Sequence, residues 1–191
     1  MPAPTHPTAV TAEQLWSFAT DGYRYELVSG ELRMMSPAGG RHGRLASQIT
    51  YLLKRHVEEL RLGVVYAAET GFLIETDPDT VLAPDAAFVS EKRHRTIEDE
   101  AGYLQLAPEL AVEVISPNDH FSRVEAKALT WLDAGTKLVL LVDPAEQTVH
   151  AYRSRSQINI YQFDETVDCG DAVPEWQLRV NDIFKLYARD Q

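Results

Sequence analysis

The chain has 191 residues, 45% of them hydrophobic and 25% charged, with one Cys, ten Gly and ten Pro. Those fractions suit an ordinary globular domain and exclude a disordered, collagen-like or disulfide-stapled chain, and the length suits one domain with a full core. Eighteen Lys and Arg against 29 Asp and Glu leave a net charge of −11, which argues against a general nucleic-acid binder, because such binding is mostly phosphate neutralisation.

Residues 1–10 hold three prolines and no periodic pattern and read as a flexible lead-in to a single domain over 11–191. Thr11 is an N-cap for a short helix that places Leu15 and Phe18 on one face. Tyr23 to Val28 alternates large apolar with polar residues, Ser29-Gly30 supplies turn chemistry, and Glu31 to Met35 completes a hairpin. After Gly39-Gly40 a long helix is expected, with Leu45, Ile49, Leu52, Leu53, His56 and Leu60 on one side and Gly63 at its end. Strands follow at Val64 to Ala68, Phe72 to Glu75 and Ala86 to Val89, and the charged stretch Glu91 to Leu106 reads as an excursion or short helix.

Glu109 to Ile115 is the strongest strand signal in the chain. A helix from about Phe121 to Asp133 closes at Gly135, and Lys137 to Val142 is an apolar strand of the kind buried on both faces. Thr148 to Arg153 and Gln157 to Phe163 form a hairpin at the sheet's end, followed by a weaker strand at Trp176 to Val180 and a turn of helix from Asp182. The order predicts an α/β fold with a mixed central sheet flanked by helices and a hairpin extension at each end.

Several chemistries are excluded by what is missing. There is no G-x-G-x-x-G, no phosphate loop ending in Gly-Lys-Ser/Thr, no G-x-S-x-G elbow and no H-E-x-x-H. Cys169, being alone, can form neither an internal disulfide nor a zinc cluster. No apolar run approaches the roughly 20 residues that cross a bilayer, and the first residues lack signal-peptide character, so a reducing cytoplasm and no membrane partner are expected.

What remains are carboxylates in apolar settings. Asp85 follows Pro84 at the start of a strand, and Glu113 sits among Ala111, Val112, Val114 and Ile115. A carboxylate buried there costs free energy unless it is paired, hydrogen-bonded or metal-bound; simple alternation would instead put Glu113 in solvent. Lys127 lies three residues past Val124 and four before Trp131, so it borders the buried side of its helix, either as part of a site or as a stem whose ammonium reaches water. Two acids and a lysine suit a hard divalent ion, Mg2+ or Mn2+, with the lysine positioning an attacking water.

Taken in order, Tyr25-Glu-Leu-Val-Ser-Gly-Glu-Leu32, Ser36-Pro37, His42, Ala83-Pro84-Asp85, Pro108 to Pro117, Lys127 and Leu141-Val-Asp-Pro144 resemble the Uma-type endonucleases. These belong to the PD-(D/E)XK restriction-endonuclease-like superfamily. The resemblance runs from about Tyr25 to Pro144 and implies metal-dependent phosphodiester hydrolysis, with Asp85 as the motif aspartate and Glu113 as the second acid. The superfamily pattern expects a lysine two residues after that acid; here the position is Ile115, whose backbone carbonyl is expected to join the metal ligands, while Lys127 substitutes for the missing amine.

Glu26 is a candidate third acid, or a solvent-facing strand residue. His42, near a helix N-terminus, suits phosphate contact or acid–base work, or caps the helix. Glu31 and Glu69 are weaker candidates. Arg41, Arg44 and Lys54, on the long helix, are the expected nucleic-acid contacts, with DNA the expected form; Lys92, Arg93 and Arg95 form a second basic cluster. The competing readings are a nuclease-fold module that has lost efficient chemistry and serves binding or assembly, and, last, a two-carboxylate glycosidase. Val149, Tyr152, Ile158, Ile160 and Tyr161 on the terminal hairpin invite pairing with a second copy as a homodimer.

Overall fold

The structure is a computed structural model that describes residues 9–18, 24–35, 37–117 and 119–185. Most of the lead-in expected over residues 1–10 lies outside the described residues, as do Ser36 and Asn118.

The chain begins with α1 (Ala12–Phe18), β1 (Arg24–Val28), β2 (Glu31–Met35) and α2 (Gly40–Leu60). Next come β3 (Gly63–Ala67), β4 (Phe72–Glu75), β5 (Thr80–Leu82), β6 (Ala86–Ser90) and the single turn α3 (Glu91–His94). Then follow β7 (Leu110–Val114), α4 (Phe121–Asp133), β8 (Leu138–Asp143), β9 (Thr148–Ser154) and β10 (Gln157–Tyr161), and last β11 (Thr166–Asp168), β12 (Gln177–Arg179) and α5 (Val180–Phe184).

Six strands in the order β10-β9-β8-β7-β6-β3 make the central sheet. β7 and β8 pair in parallel through the α4 crossover, and the other pairs are antiparallel. Both faces of this sheet are covered, which is why β7 and β8 read as nearly continuous apolar runs. On one side Leu45, Ile49, Leu53 and Val57 of α2 pack with Phe88, Val112 and Leu140 and with the β11–β12 and α5 tail. On the other, Ala128 and Trp131 of α4 pack with Ala111, Val139 and Leu141 and with Phe72 and Leu82.

Phe72 and Leu82 come from a second, four-stranded sheet, β2-β1-β5-β4. The sequence led us to expect Phe72 to Glu75 among successive core strands. Instead it turns back on β5, a three-residue strand too short to carry a pattern, and β5 joins the N-terminal hairpin through Leu27 and Val81. α1 closes the outer face of this small sheet with Leu15 on Leu27 and Val81, and its start is a reciprocal cap: Gln14 N–H donates to Thr11 Oγ1 while Thr11 N–H donates to Gln14 Oε1.

Two details of α2 differ from expectation. The helix ends at Leu60, and Arg61 rather than Gly63 takes the left-handed turn, at φ 54°. The buried stripe runs through Val57, while Leu60 is 43% exposed. Gly63 serves another need, close approach: at φ 155° it begins β3, and a Cβ there would lie 2.2 Å from the Val89 carbonyl oxygen and 2.7 Å from the Glu91 amide nitrogen. β11 carries no strand signal in the sequence; it pairs with β12 to close the tail over α2.

Gly63→Ala is therefore expected to destabilise the fold by well over ~1 kcal/mol, whereas Gly43→Ala on α2, where an added Cβ meets nothing within 4 Å, stabilises it by ~0.5–1 kcal/mol. Urea unfolding followed by circular dichroism checks both signs.

Candidate functional site

The chain passes from the small sheet to the central one through Ala83-Pro84-Asp85, between β5 and β6. The candidate site residues gather around that crossing. β1 brings Glu26 to it, β7 brings Glu113, α4 brings Lys127 and Trp131, and α2 brings His42.

Glu113 alternates onto the same face of β7 as Ala111, and α4 covers that face, so the carboxylate is buried at 7% exposure rather than solvated. Its oxygens are satisfied from one helix. Trp131 Nε1 donates to Oε1 at 2.9 Å, and Lys127 Nζ lies 2.9 Å from each oxygen. Lys127 and Trp131 stand four residues apart and so project from the same side of α4.

The Lys127 ammonium has three protons and three sets of acceptors: Glu113, Glu26 Oε1 at 2.7 Å and the Ala83 carbonyl at 2.9 Å. Glu26 Oε1 also accepts the Ala83 N–H at 3.0 Å, so both polar backbone groups of Ala83 are held by this one ion pair. Glu26 is itself buried at 5% exposure, on the inner face of the small sheet.

Asp85 sits beside this cluster, half-buried. Its backbone N–H donates to the Val112 carbonyl, and its Oδ2 accepts the Val114 N–H at 2.7 Å, which continues the β6–β7 ladder with a side chain. His42 Nε2 lies 3.2 Å from the same Oδ2. Asp85 Oδ1 takes no hydrogen bond among the described residues.

The electrostatics follow from burial and from an excess of acids. Burial pushes the Glu113 pKa above the ordinary carboxylate value; Lys127 opposes that shift, and Asp85 and Glu26 add to it. Burial works against the Lys127 ammonium, but the carboxylates of Glu113 and Glu26 outweigh it and hold the amine above its ordinary value. The Asp85 hydrogen bond and charge raise the His42 pKa above 6.5 against the opposing effect of burial. Three carboxylates thus face one lysine and one histidine.

Ile115 stands where the motif lysine was expected. Its N–H donates to the Val142 carbonyl, continuing the β7–β8 ladder, and its side chain packs into the core beside α4. Among the described residues no group of three or more His, Cys, Asp or Glu is arranged as a metal cluster.

The expected nucleic-acid contacts do not converge on this place. The Arg41 guanidinium donates to the Pro144 carbonyl, tying the start of α2 to the β8–β9 turn. Arg44 is two residues, and so about 200° of helix, away from His42. Lys54 lies twelve residues along α2 from His42, roughly 18 Å, and pairs with Glu58 at 3.5 Å. Of the second basic cluster, Arg93 pairs with Glu109 and Arg95 with Glu91. Glu31 is exposed on the hairpin, and Glu69 forms an exposed ion pair with Arg24.

From the sequence Trp131 is a core residue of α4; its spacing from Lys127 is the available sign that its N–H shares the buried acid. A second missed residue, Arg33, is paired in register with Glu26 across the β1–β2 hairpin.

Comparison with known proteins bears on the same region. Residues 12–181 match the family model Uma2, described as "Putative restriction endonuclease". The fold is similar to the crystal structure of a protein from Anabaena variabilis, described as "a putative nuclease belonging to DUF820", with a TM-score of 0.77 and 23% identity, over 92% of this chain and 97% of that one. No curated protein matches the chain. No described helix is long and apolar enough to cross a membrane.

Removing the lysine leaves two buried carboxylates without their cation, so Lys127→Met is expected to cost roughly 3–5 kcal/mol in urea unfolding at neutral pH. In metal-free buffer, the His42 imidazole is expected to titrate above pH 6.5 by NMR, and Asp85→Asn to move its midpoint down. Because the folded pKa is the higher one, the stability contributed by the His42–Asp85 pair is full below about pH 6.5 and is lost as the pH rises through the folded value.

Proposed function

The chain belongs to the Uma2 family of restriction-endonuclease-like proteins, and from that premise we propose that it is a metal-dependent endonuclease hydrolysing phosphodiester bonds in nucleic acid, DNA foremost. The observation that carries the reading is the pair of buried carboxylates around one buried lysine at the crossing between the sheets, with a third carboxylate, Asp85, beside them against His42. Carboxylate oxygens are the ligands of hard divalent ions, and Mg2+ is held by one or two of them together with waters and substrate phosphate. Asp85, with Oδ1 uncommitted, and Glu113 are oxygen donors of that kind and would hold Mg2+ or Mn2+, joined by the Ile115 carbonyl. When bound, such an ion supplies Lewis-acid polarisation of a phosphate oxygen.

The protein's own groups do the rest. Lys127 fixes Glu26 and Glu113 and sets a positive charge against which an attacking water loses a proton more readily. All three of its protons are engaged, so bonding that water requires one acceptor to yield. Glu26, on the separate small sheet, is the one whose release leaves Glu113 held by Trp131. His42, whose pKa the Asp85 hydrogen bond raises, is the group placed to give a proton to the leaving oxygen.

A second reading has its own support: the fully engaged lysine and the absence, among the described residues, of three or more acids or histidines arranged to hold a metal suit a module that retains the fold and serves binding or assembly. Self-association through β10 fits either role, because it is an edge strand with Ile158 and Ile160 39% and 54% exposed; Val149 and Tyr152 are buried within the protomer. A dimeric mass in light scattering is expected.

Plasmid cleavage with Mn2+ separates the two readings. The wild type is expected to nick or linearise DNA, EDTA to stop it, and Asp85→Ala and Lys127→Ala each to lower the rate at least about 100-fold, the scale of losing an electrostatic or acid–base group. Equal rates for all three proteins would leave the binding-module reading.

A further inference from the structure

We propose that Arg33 and Arg123 form two banks of a phosphate groove across the mouth of the site, gripping the nucleic-acid backbone on either side of the phosphate to be cleaved. The proposal rests on the endonuclease reading and names side chains that neither the family description nor the sequence patterns assigned.

Arg33 is placed by strand register. In the β1–β2 hairpin it is the direct partner of Glu26, so the two side chains leave the same face of the small sheet about 4.5–5.5 Å apart at Cβ. That face points at Lys127, because Glu26 reaches the ammonium from it. β2 is an edge strand with all five residues exposed, so Arg33 lies at the rim where Glu26 lies at the floor. Leu32 and Met34 alternate to the opposite face, with Leu27 and Tyr25, and are not part of the groove.

Arg123 is placed by helical spacing. It precedes Lys127 by four residues on α4, on the same side and about 6 Å nearer the helix start. α4 leaves the loop that follows the C-terminal end of β7, next to Val114 and Asp85, and runs back toward the start of β8. One turn toward the N-terminus is therefore one turn outward from the buried lysine, and Arg123 is exposed where Lys127 is not.

Both guanidinium groups are without a partner among the described residues, as are those of Arg44, Arg61 and Arg179, and they are the two that the β1–β2 register and the α4 spacing put beside the site. Arg24, Arg93, Arg95, Arg153 and Arg155 are each paired with an acid, and Arg41 with a backbone carbonyl. In a chain of net charge −11, two unpaired cations on opposite banks of one acidic cleft are where a polyanion would gain most. The acids at the floor carry the opposite sign, so the groove holds the flanking phosphates while the floor receives only the one between them.

The test uses the full chain and a fluorescein-labelled DNA duplex, with affinity read by fluorescence anisotropy over a salt series, with EDTA and with Mn2+, and with cleavage kinetics alongside. Arg33→Ala and Arg123→Ala are each expected to weaken binding roughly tenfold at 0.1 M salt and to lower the slope of log affinity against log salt by about 1. Arg33→Lys and Arg123→Lys keep the slope, and Arg155→Ala, whose side chain pairs with Asp133 at the far end of α4, changes neither quantity. In cleavage, KM rises with kcat unchanged. Wild-type binding that both alanine variants match would overturn the groove and leave the endonuclease reading standing. A wild type that neither binds nor cleaves would overturn both. Matched melting temperatures show that these exposed substitutions leave the fold intact.

Discussion

The Lys127 ammonium is the point at which the layers of this protein are fastened to one another. It is nearly out of reach of solvent, so each of its protons must find an acceptor inside the protein or the charge is untenable. The three acceptors come from three places: Glu113 on the central sheet, Glu26 on the small sheet and the carbonyl of Ala83 on the strand of chain that joins them. α4, which carries the lysine, is thereby fixed over β7, and the small sheet is fixed against the large one. An apolar set of the same volume would hold these layers as well or better. Retaining a buried ion pair with more acids than bases makes little sense as pure architecture, and that is the physical reason to look for chemistry here.

The absence of a lysine at position 115 is accommodated by geometry. α4 runs antiparallel across the strand that carries Glu113, so a residue in the middle of the helix reaches the acid from above, while position 115 lies at the end of the strand and its side chain turns into the core. An amine delivered from α4 has Trp131 beside it, and the indole N–H satisfies a Glu113 oxygen by a hydrogen bond. The cost of the arrangement is that the helix-borne amine is held more completely than a side chain at a strand end would be. On the endonuclease reading, catalytic competence would depend on how readily Glu26 lets go, which would make the seating of the small sheet on the large one part of the chemistry.

Much of this was legible in the sequence, and the parts that were not share a cause. β7, α4 and β8 were readable because long apolar runs and helical spacing leave few alternatives, and Gly135 closes α4 as expected. Glu113, Glu26 and Lys127 were each ambiguous alone, since alternation puts a residue on a face without saying whether anything covers that face. The covering layers are α4 and the small sheet, and the small sheet depends on β5, three residues with no periodic signature. Arg33 was within reach: the two-residue Ser29-Gly30 turn fixes the hairpin register, and that register pairs it with Glu26. The helix end was misplaced because Arg61 adopts a left-handed conformation that glycine usually supplies, leaving Gly63 to the close contact of β3 with the start of α3.

The net charge of −11 takes on a different meaning once the acids are located. Acids elsewhere in the chain are in part already paired, as Asp171 is with Arg153, Asp133 with Arg155 and Glu91 with Arg95, and at physiological salt exposed charges are screened beyond about 8 Å. What a phosphate would meet is the local field: three carboxylates against one lysine and one histidine at the floor, with free arginines only at the rim. Such a field repels a backbone phosphate from the floor as the protein stands and attracts a small cation there instead. On the endonuclease reading, binding of nucleic acid and of a divalent ion would be coupled, because the ion offsets the repulsion between the acids and a phosphate while the phosphate adds to the field that attracts the ion. A protein built this way has little reason to coat nucleic acid indiscriminately, and its acidic balance acts as a constraint on where a strand can sit rather than as an argument against its sitting at all.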